Sequence, residues 1–253
     1  MTRGLRAAAD LLLPRVCVVC GRKLNLDEEH LCLMCWAELP LTHFWERTHN
    51  SMADKFNRLI EEGIDSYMTE SRLERYAYAS ALFFYDGAGA YRRIPHQLKY
   101  HADLRLGRRF GRLLGQKLRL AEHLCDVDVV IPVPLHWTRH WKRGYNQAEV
   151  IAAEVARELG IEMRTDILKR SRRTRTQTKV NPGDKAANVS GAFTATLKHH
   201  DRANSPVKYR HVLLIDDVFT SGSTLHACFT ALRTVFPPEV RISVATLAFV
   251  GEA

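Results

Sequence analysis

The feature that most limits what this chain can become is the stretch Val212-Leu213-Leu214-Ile215, followed by Asp216-Asp217 and the short loop Thr220-Ser221-Gly222-Ser223-Thr224. Four consecutive apolar residues suit a strand buried on both faces. Ser223 to Val235 has the spacing of a helix behind it. Polar groups are thereby placed at the carboxyl end of a parallel strand, where open α/β sheets bind ligands. The loop offers hydroxyls and backbone N–H groups to a phosphate, Gly222 allows close backbone approach, and the helix start adds its positive dipole end. Paired carboxylates do not favour a bare phosphate. Asp216 and Asp217 are therefore read as acceptors for two vicinal ribose hydroxyls, and a ribose 5-phosphate is implied. The plainer alternative is a helix cap with two turn aspartates. A Walker loop would need a Gly-Lys-Ser/Thr ending, which is missing here.

The rest of the chain agrees with an α/β layer architecture. From Tyr76 onward strand-like and helix-like stretches alternate. Ala77 to Tyr85, Val127 to Val133, Met163 to Leu168 and Val240 to Val250 read as strands. Ala88 to Tyr100, Leu104 to Ala121 and Gln147 to Leu159 read as helices, and Arg170 to Asn188 as a long loop. Residues 46–75 read as a helical connector, with Phe56, Leu59, Ile60 and Ile64 at helical spacing. Residues 1–45 form a separate block, so three units are expected: 1–45, 46–75 and 76–253.

The first block holds four of the six cysteines. Cys17-Val18-Val19-Cys20 and Cys32-Leu33-Met34-Cys35 are two Cys-x-x-Cys pairs separated by eleven residues, with Gly21 placed for a tight turn. This spacing predicts a tetrahedral structural Zn²⁺ site; a redox dithiol, an iron–sulfur centre and disulfides are the alternatives. His30, His43 and His49 are read as surface residues, Cys125 and Cys228 as core thiols.

A net charge of +9 points to a polyanionic partner without choosing one. Arg92, Arg93, Lys99, Arg105, Arg108, Arg109, Arg112, Lys117 and Arg119 are dense enough to hold a nucleic-acid backbone, or serve simply as solvated helix faces. Trp137, Trp141 and Tyr145 interleave with Arg139, Lys142 and Arg143, a pattern that suits stacking of unpaired bases as well as a pyrophosphate loop. No membrane span is expected, since no run reaches the roughly 18 apolar residues required. Asp10 and Arg15 interrupt the N-terminal apolar run, so no signal peptide is expected and a cytoplasmic location is.

These residues resemble the type I phosphoribosyltransferases. Ile131-Pro132-Val133-Pro134-Leu135, Arg143-Gly144-Tyr145-Asn146-Gln147, Leu168-Lys169-Arg170 with Thr176-Gln177, and Asn188-Val189-Ser190-Gly191-Ala192-Phe193 are similar to the ComF branch. The resemblance implies a Rossmann-like core behind a small zinc module, binding phosphoribosyl pyrophosphate with Mg²⁺. Asp216 and Asp217 would lie on the ribose, and Thr220, Ser221, Gly222, Ser223 and Thr224 around the 5-phosphate. Leu135 to Tyr145 would be the pyrophosphate loop and Arg170 to Asn188 the closing loop, with Arg139, Lys142, Arg143, Arg172, Arg173 and Arg175 as its cations. Lys185 stands where members often have arginine, a point charge in place of a fork. The resemblance also implies a part in DNA uptake during natural competence; in an adaptor the zinc module and basic helices would hold single-stranded DNA or another competence protein. The chain begins Met1-Thr2 rather than with a nucleophilic cysteine, so glutamine-dependent chemistry is not expected. Two readings stay open: a transferase with an unassigned nitrogen acceptor, and a non-catalytic sensor or adaptor.

Overall fold

A computed structural model describes residues 14–63, 74–85, 89–100, 103–135, 144–171, 191–197 and 209–251. Its centre is a five-stranded parallel sheet in the order β1-β7-β6-β2-β3, formed by Ala79–Phe84 (β1), Val129–Pro132 (β2), Glu162–Met163 (β3), His211–Phe219 (β6) and Arg241–Phe249 (β7). Leu168–Arg170 (β4) and Phe193–Ala195 (β5) pair antiparallel as a separate ribbon. The single strand expected over Met163 to Leu168 is thus two short ones in different sheets. The polar Arg164, Thr165 and Asp166 break it, and Arg164 folds back through its guanidinium onto Asp166 and the Tyr209 hydroxyl.

Helices cover both faces, as parallel sheets require. Ser51–Gly63 (α2) and Ser223–Arg233 (α6) pack on one face, where Phe56, Ile60, Leu225 and Phe229 join Val212 and Leu214. On the other, Arg93–Tyr100 (α3), Leu104–Leu118 (α4) and Gln147–Leu159 (α5) bury Ile94, Leu98, Phe110 and Ile151 against Leu213 and Ile215. The alternation along β6 is why four consecutive apolar residues are needed there. Removing one such side chain, Phe56 for example, costs about 3–5 kcal/mol.

Helix α4 owes its close seat on α5 to glycines at four-residue spacing. A Cβ at Gly111 would come within 3.0 Å of the Ile151 backbone, and one at Gly115 within 2.8 Å of Glu158 Cβ. Helix α5 spans the expected residues: Asn146 caps it by accepting from Ala148 N, and Gly160 ends it in the left-handed conformation. Asn146 Nδ2 also donates to the Val133 carbonyl at 3.0 Å, tying the end of β2 to the start of α5.

The end of the first block and the segment read as a connector are both built into the core. Residues 40–42 run antiparallel beside β1, with Phe84 N donating to Pro40 O and Thr42 N to Leu82 O, which covers the sheet edge. Asn50 caps α2 through Met52 N and Ala53 N while its amide donates to Ala79 O. Asn57 exchanges two hydrogen bonds with the Ala77 backbone.

Candidate functional site

Strand β6 does not end at Ile215 as expected. It runs on to Phe219, because β7 supplies parallel partners as far as Phe249. Asp216 and Asp217 therefore sit on regular strand, held by its ladder, rather than in a turn. Asp217 is buried and Asp216 partly so. Burial first, and then the charge of Asp217, push Asp216 up to about 7, while Lys99 and Arg170 pull it the other way.

Lys99 was read as part of a basic surface. It instead reaches in from α3 and places Nζ 3.0 Å from Asp217 Oδ2, with the lysine side chain 32% and the aspartate 9% exposed. Burial works against this ammonium, but Asp217 and Asp216 outweigh it and raise its pKa. Among the described residues Lys99 is the group that meets Asp217 Oδ2, and the contact is a charge pair.

The Thr/Ser/Gly loop follows directly. Gly222 has φ +83° and starts α6 without a side-chain cap. A Cβ there would lie 2.7 Å from Leu59 Cδ1 and from Phe219 Cζ, so both conformation and space demand glycine. The hydroxyls of Ser221 and Ser223 lie 2.9 Å apart. Lys55 of α2 donates Nζ to the Thr220 carbonyl at 2.8 Å. The loop thus presents hydroxyls and a helix start a few residues from a carboxylate pair, a combination of anion and polyol groups at one strand end.

The cysteines form a second centre. The sulfurs of Cys17, Cys20, Cys32 and Cys35 all lie within 4.8 Å of one another, and those of Cys20 and Cys32 are 3.7 Å apart. Zn–S bonds of about 2.3 Å in a tetrahedron give an edge of about 3.8 Å, so the donor set fits zinc. Burial opposes ionisation of Cys17, but the backbone N–H groups of Cys20, Cys32 and Val19 bring its thiol down to about 7. Burial and the neighbouring thiols drive Cys35 far up without a metal. Gly21, at φ +75°, makes the turn after Cys20 and returns its N–H to Cys17 O at 2.9 Å. The helix Leu33–Ala37 (α1) follows Cys32.

These centres match known families. Residues 146–251 match the phosphoribosyl transferase domain and residues 8–45 the double zinc ribbon domain. The chain is similar to Competence protein F of Haemophilus influenzae, 32% identical over 152 residues that cover 59% of this chain and 64% of that protein. It is also 32% identical to DNA utilization protein YhgH of Salmonella typhi, over 52% of this chain and 56% of the relative. The chain is thus similar to the ComF family in both of its domains. The matches span less than two thirds of the length of either relative. A solved glutamine phosphoribosylpyrophosphate amidotransferase from B. subtilis, complexed with ADP and GMP, is 22% identical over 55% of this chain and 25% of its own, at a TM-score of 0.33.

In this chain five cations of the basic helices, Arg93, Lys99, Arg109, Arg112 and Lys117, have partners within the fold. Arg93 Nη1 donates to Val19 O at 2.8 Å, and Arg109 stacks its guanidinium 4.5 Å from the Trp36 ring while bonding to Glu29 O. Arg112 lies against Glu154 and Glu158, and Lys117 over Trp45. Trp36 in turn stacks on Phe110 at 5.1 Å. Arg93 of α3 and Arg109 of α4 therefore form the seat of the zinc module. Tyr91, just before α3, donates to Cys35 O at 3.1 Å. Helix α3 is thus tied to the cysteine knuckles at one end and to Asp217 at the other. The role of Lys99 could not be told by sequence from that of its basic neighbours.

His30 pairs with Asp103 at 3.1 Å, while His43 and His49 are exposed. Cys228 is buried as expected, but Cys125 is exposed, since it follows a one-turn helix at the base of the sheet. Arg139, Lys142, Arg143, Arg172, Arg173, Arg175, Trp137, Trp141 and Lys185 lie outside the described residues. No helix among the described residues is long and apolar enough to cross a membrane.

Proposed function

We propose that the chain binds phosphoribosyl pyrophosphate with Mg²⁺ at the carboxyl end of β6, and that it serves DNA uptake as the names of its competence relatives suggest. One observation carries the reading: a ladder-held carboxylate pair, Asp216 and Asp217, lies directly before an uncapped helix start lined by Thr220, Ser221, Gly222, Ser223 and Thr224. The carboxylates accept the ribose hydroxyls. The loop N–H groups and hydroxyls take the 5-phosphate, with the dipole of α6 behind them. The pyrophosphate, with its Mg²⁺, falls to the segment after β2 and to the arginines at 139, 143, 172, 173 and 175 together with Lys142. Bound there, Mg²⁺ would supply positive charge to the pyrophosphate, while Asp216, Asp217 and the Thr220-to-Thr224 loop hold the sugar and its 5-phosphate.

The three-unit division at 45 and 75 is kept as a description of sequence blocks. The zinc module is assigned a structural role, seating on α4 through Trp36 and Arg109.

A second reading, a ligand-responsive adaptor without turnover, is favoured by Leu33 and Met34, which are 72% and 52% exposed between the metal-binding cysteines. Single-stranded DNA draws less support from α3 and α4, where Arg93, Lys99, Arg109, Arg112 and Lys117 are engaged within the chain. The test of the site is the double variant Asp216→Asn with Asp217→Asn. It should fold and lose phosphoribosyl pyrophosphate binding; undiminished affinity in calorimetry would remove the assignment. Pyrophosphate release on adding ammonia or a nucleobase separates the transferase from the adaptor.

A further inference from the structure

We propose that Lys99 is a positioning residue for the ligand site: its ammonium, delivered by α3 to 3.0 Å from Asp217 Oδ2, favours the fully ionised form of the aspartate pair, in which both accept ribose hydroxyls. The proposal rests on the reading of β6 as a phosphoribosyl site. Two consecutive carboxylates with little access to water repel each other, and without a counter-ion such a pair retains a proton. A protonated member no longer offers the charge-assisted acceptor that a sugar hydroxyl prefers.

Among the described residues the groups that face the pair are few. Strand β6 contributes only the two aspartates. Tyr85, just after β1, lies close enough for Lys99 and Asp217 both to act on it. On the other side Arg170 of β4 and the buried thiol of Cys228 on α6 act on Asp216. Among the described residues, Lys99 is the cation in contact with Asp217. Its stem is fixed by the burial of Ile94, Pro95 and Leu98 on the same short helix, so the charge is placed before any ligand arrives. Burial alone works against both charges, and the pair is stable because each supplies the other's counter-charge.

The experiment combines two measurements on the full chain with zinc present. Carboxyl-carbon NMR titration of ¹³C-aspartate-labelled protein reads the proton on the pair. Calorimetry of phosphoribosyl pyrophosphate with Mg²⁺ from pH 6 to 9 reads the affinity. Lys99→Gln should move proton release upward by about one pH unit or more and weaken binding about tenfold at pH 7, with recovery as pH rises. Lys99→Arg, which keeps the charge, should stay within a few-fold of the wild type throughout. Lys99→Met replaces the glutamine variant if that one fails to fold. An uncharged variant with the wild-type affinity and pH profile overturns the role of Lys99 and leaves the site reading standing. A loss of equal size at pH 6 and pH 9 also overturns it, because it marks a packing effect. A wild-type chain that binds no phosphoribosyl pyrophosphate overturns the site reading and this proposal together.

Discussion

Lys55 Nζ donates to the Thr220 carbonyl at 2.8 Å, so α2 fixes the first residue of the loop that leads into α6. The same ammonium lies 5.7 Å from the centre of the Phe219 ring. The α2 segment, though far away in sequence, is thus part of the loop's support. Lys55→Met should lower ribose 5-phosphate affinity several-fold and stability by no more than about 1 kcal/mol, the usual size of one exposed hydrogen bond. Calorimetry and thermal melts on the same samples would check both. A variant with unchanged affinity would confine α2 to a packing role.

Gly222→Ala should be far more damaging than its size suggests. The residue has φ +83°, and a Cβ would meet Leu59 and Phe219 at 2.7 Å. Strain and overpacking each cost about 1–3 kcal/mol. A melting temperature lowered by several degrees, with ligand binding lost, is expected. The control is Gly111→Ala, which stresses the α4–α5 contact and should lower stability while leaving affinity intact.

Ligand affinity should rise with pH through about 7. Asp216 titrates near that value because burial and the Asp217 charge favour its protonated form, so the second acceptor appears as pH increases. The stability effect has the opposite sign. An aspartate whose folded-state pKa is raised contributes stability in full below its unfolded value, near 4, and loses it as pH climbs to about 7. Asp216→Asn should flatten both profiles between pH 5 and 8. Profiles still as steep as those of the wild type would assign the titration to another group.

At the opposite end of the sheet, His211 is fully buried, with Nδ1 2.6 Å from Asp126 and Nε2 2.7 Å from Ser243 Oγ. Burial holds its pKa down despite the opposing pull of Asp126. Its contribution to stability is therefore complete above the unfolded value, about 6.5, and is lost as pH falls through the lower folded value. Wild-type melting temperatures should decline from about pH 6.5 to pH 5, and His211→Gln should decline less over that range.

Zinc removal should be felt at the ligand site. Tyr91 bonds to Cys35 O and Arg93 to Val19 O, and Lys99 of the same helical stretch meets Asp217. Elemental analysis is expected to give one zinc per four-cysteine cluster. Chelation, or Cys20→Ser, should lower the melting temperature and weaken phosphoribosyl pyrophosphate binding several-fold, since structural metal energy is folding energy for the module. A metal-free chain with unaltered affinity would show that α3 holds Lys99 without help from the knuckles.

The parts legible in the sequence are those fixed by local rules. Periodicity and caps marked α5 to the residue, and Cys-x-x-Cys spacing marked the sulfur cluster. What escaped depends on partners distant in the chain. Strand β6 extends past its aspartates because β7 offers a ladder to Phe249, which no local pattern announces. Lys99 looks like its basic neighbours until α3 is docked. Arg109 reads as a surface charge until Trp36 arrives beneath it. Residues 46–75 read as a connector because the hydrogen bonds of Asn50 and Asn57 go to Ala79 and Ala77, well along the sequence.

The most direct test of the account is calorimetry of the zinc-loaded wild-type chain with phosphoribosyl pyrophosphate and Mg²⁺, with ribose 5-phosphate as the smaller control. The arrangement of Asp216, Asp217 and the Thr220-to-Thr224 loop predicts one site per chain, with micromolar affinity that falls sharply when the pyrophosphate is absent. No heat of binding from a folded, metal-loaded sample would contradict it, leaving the strand end a relic of the fold.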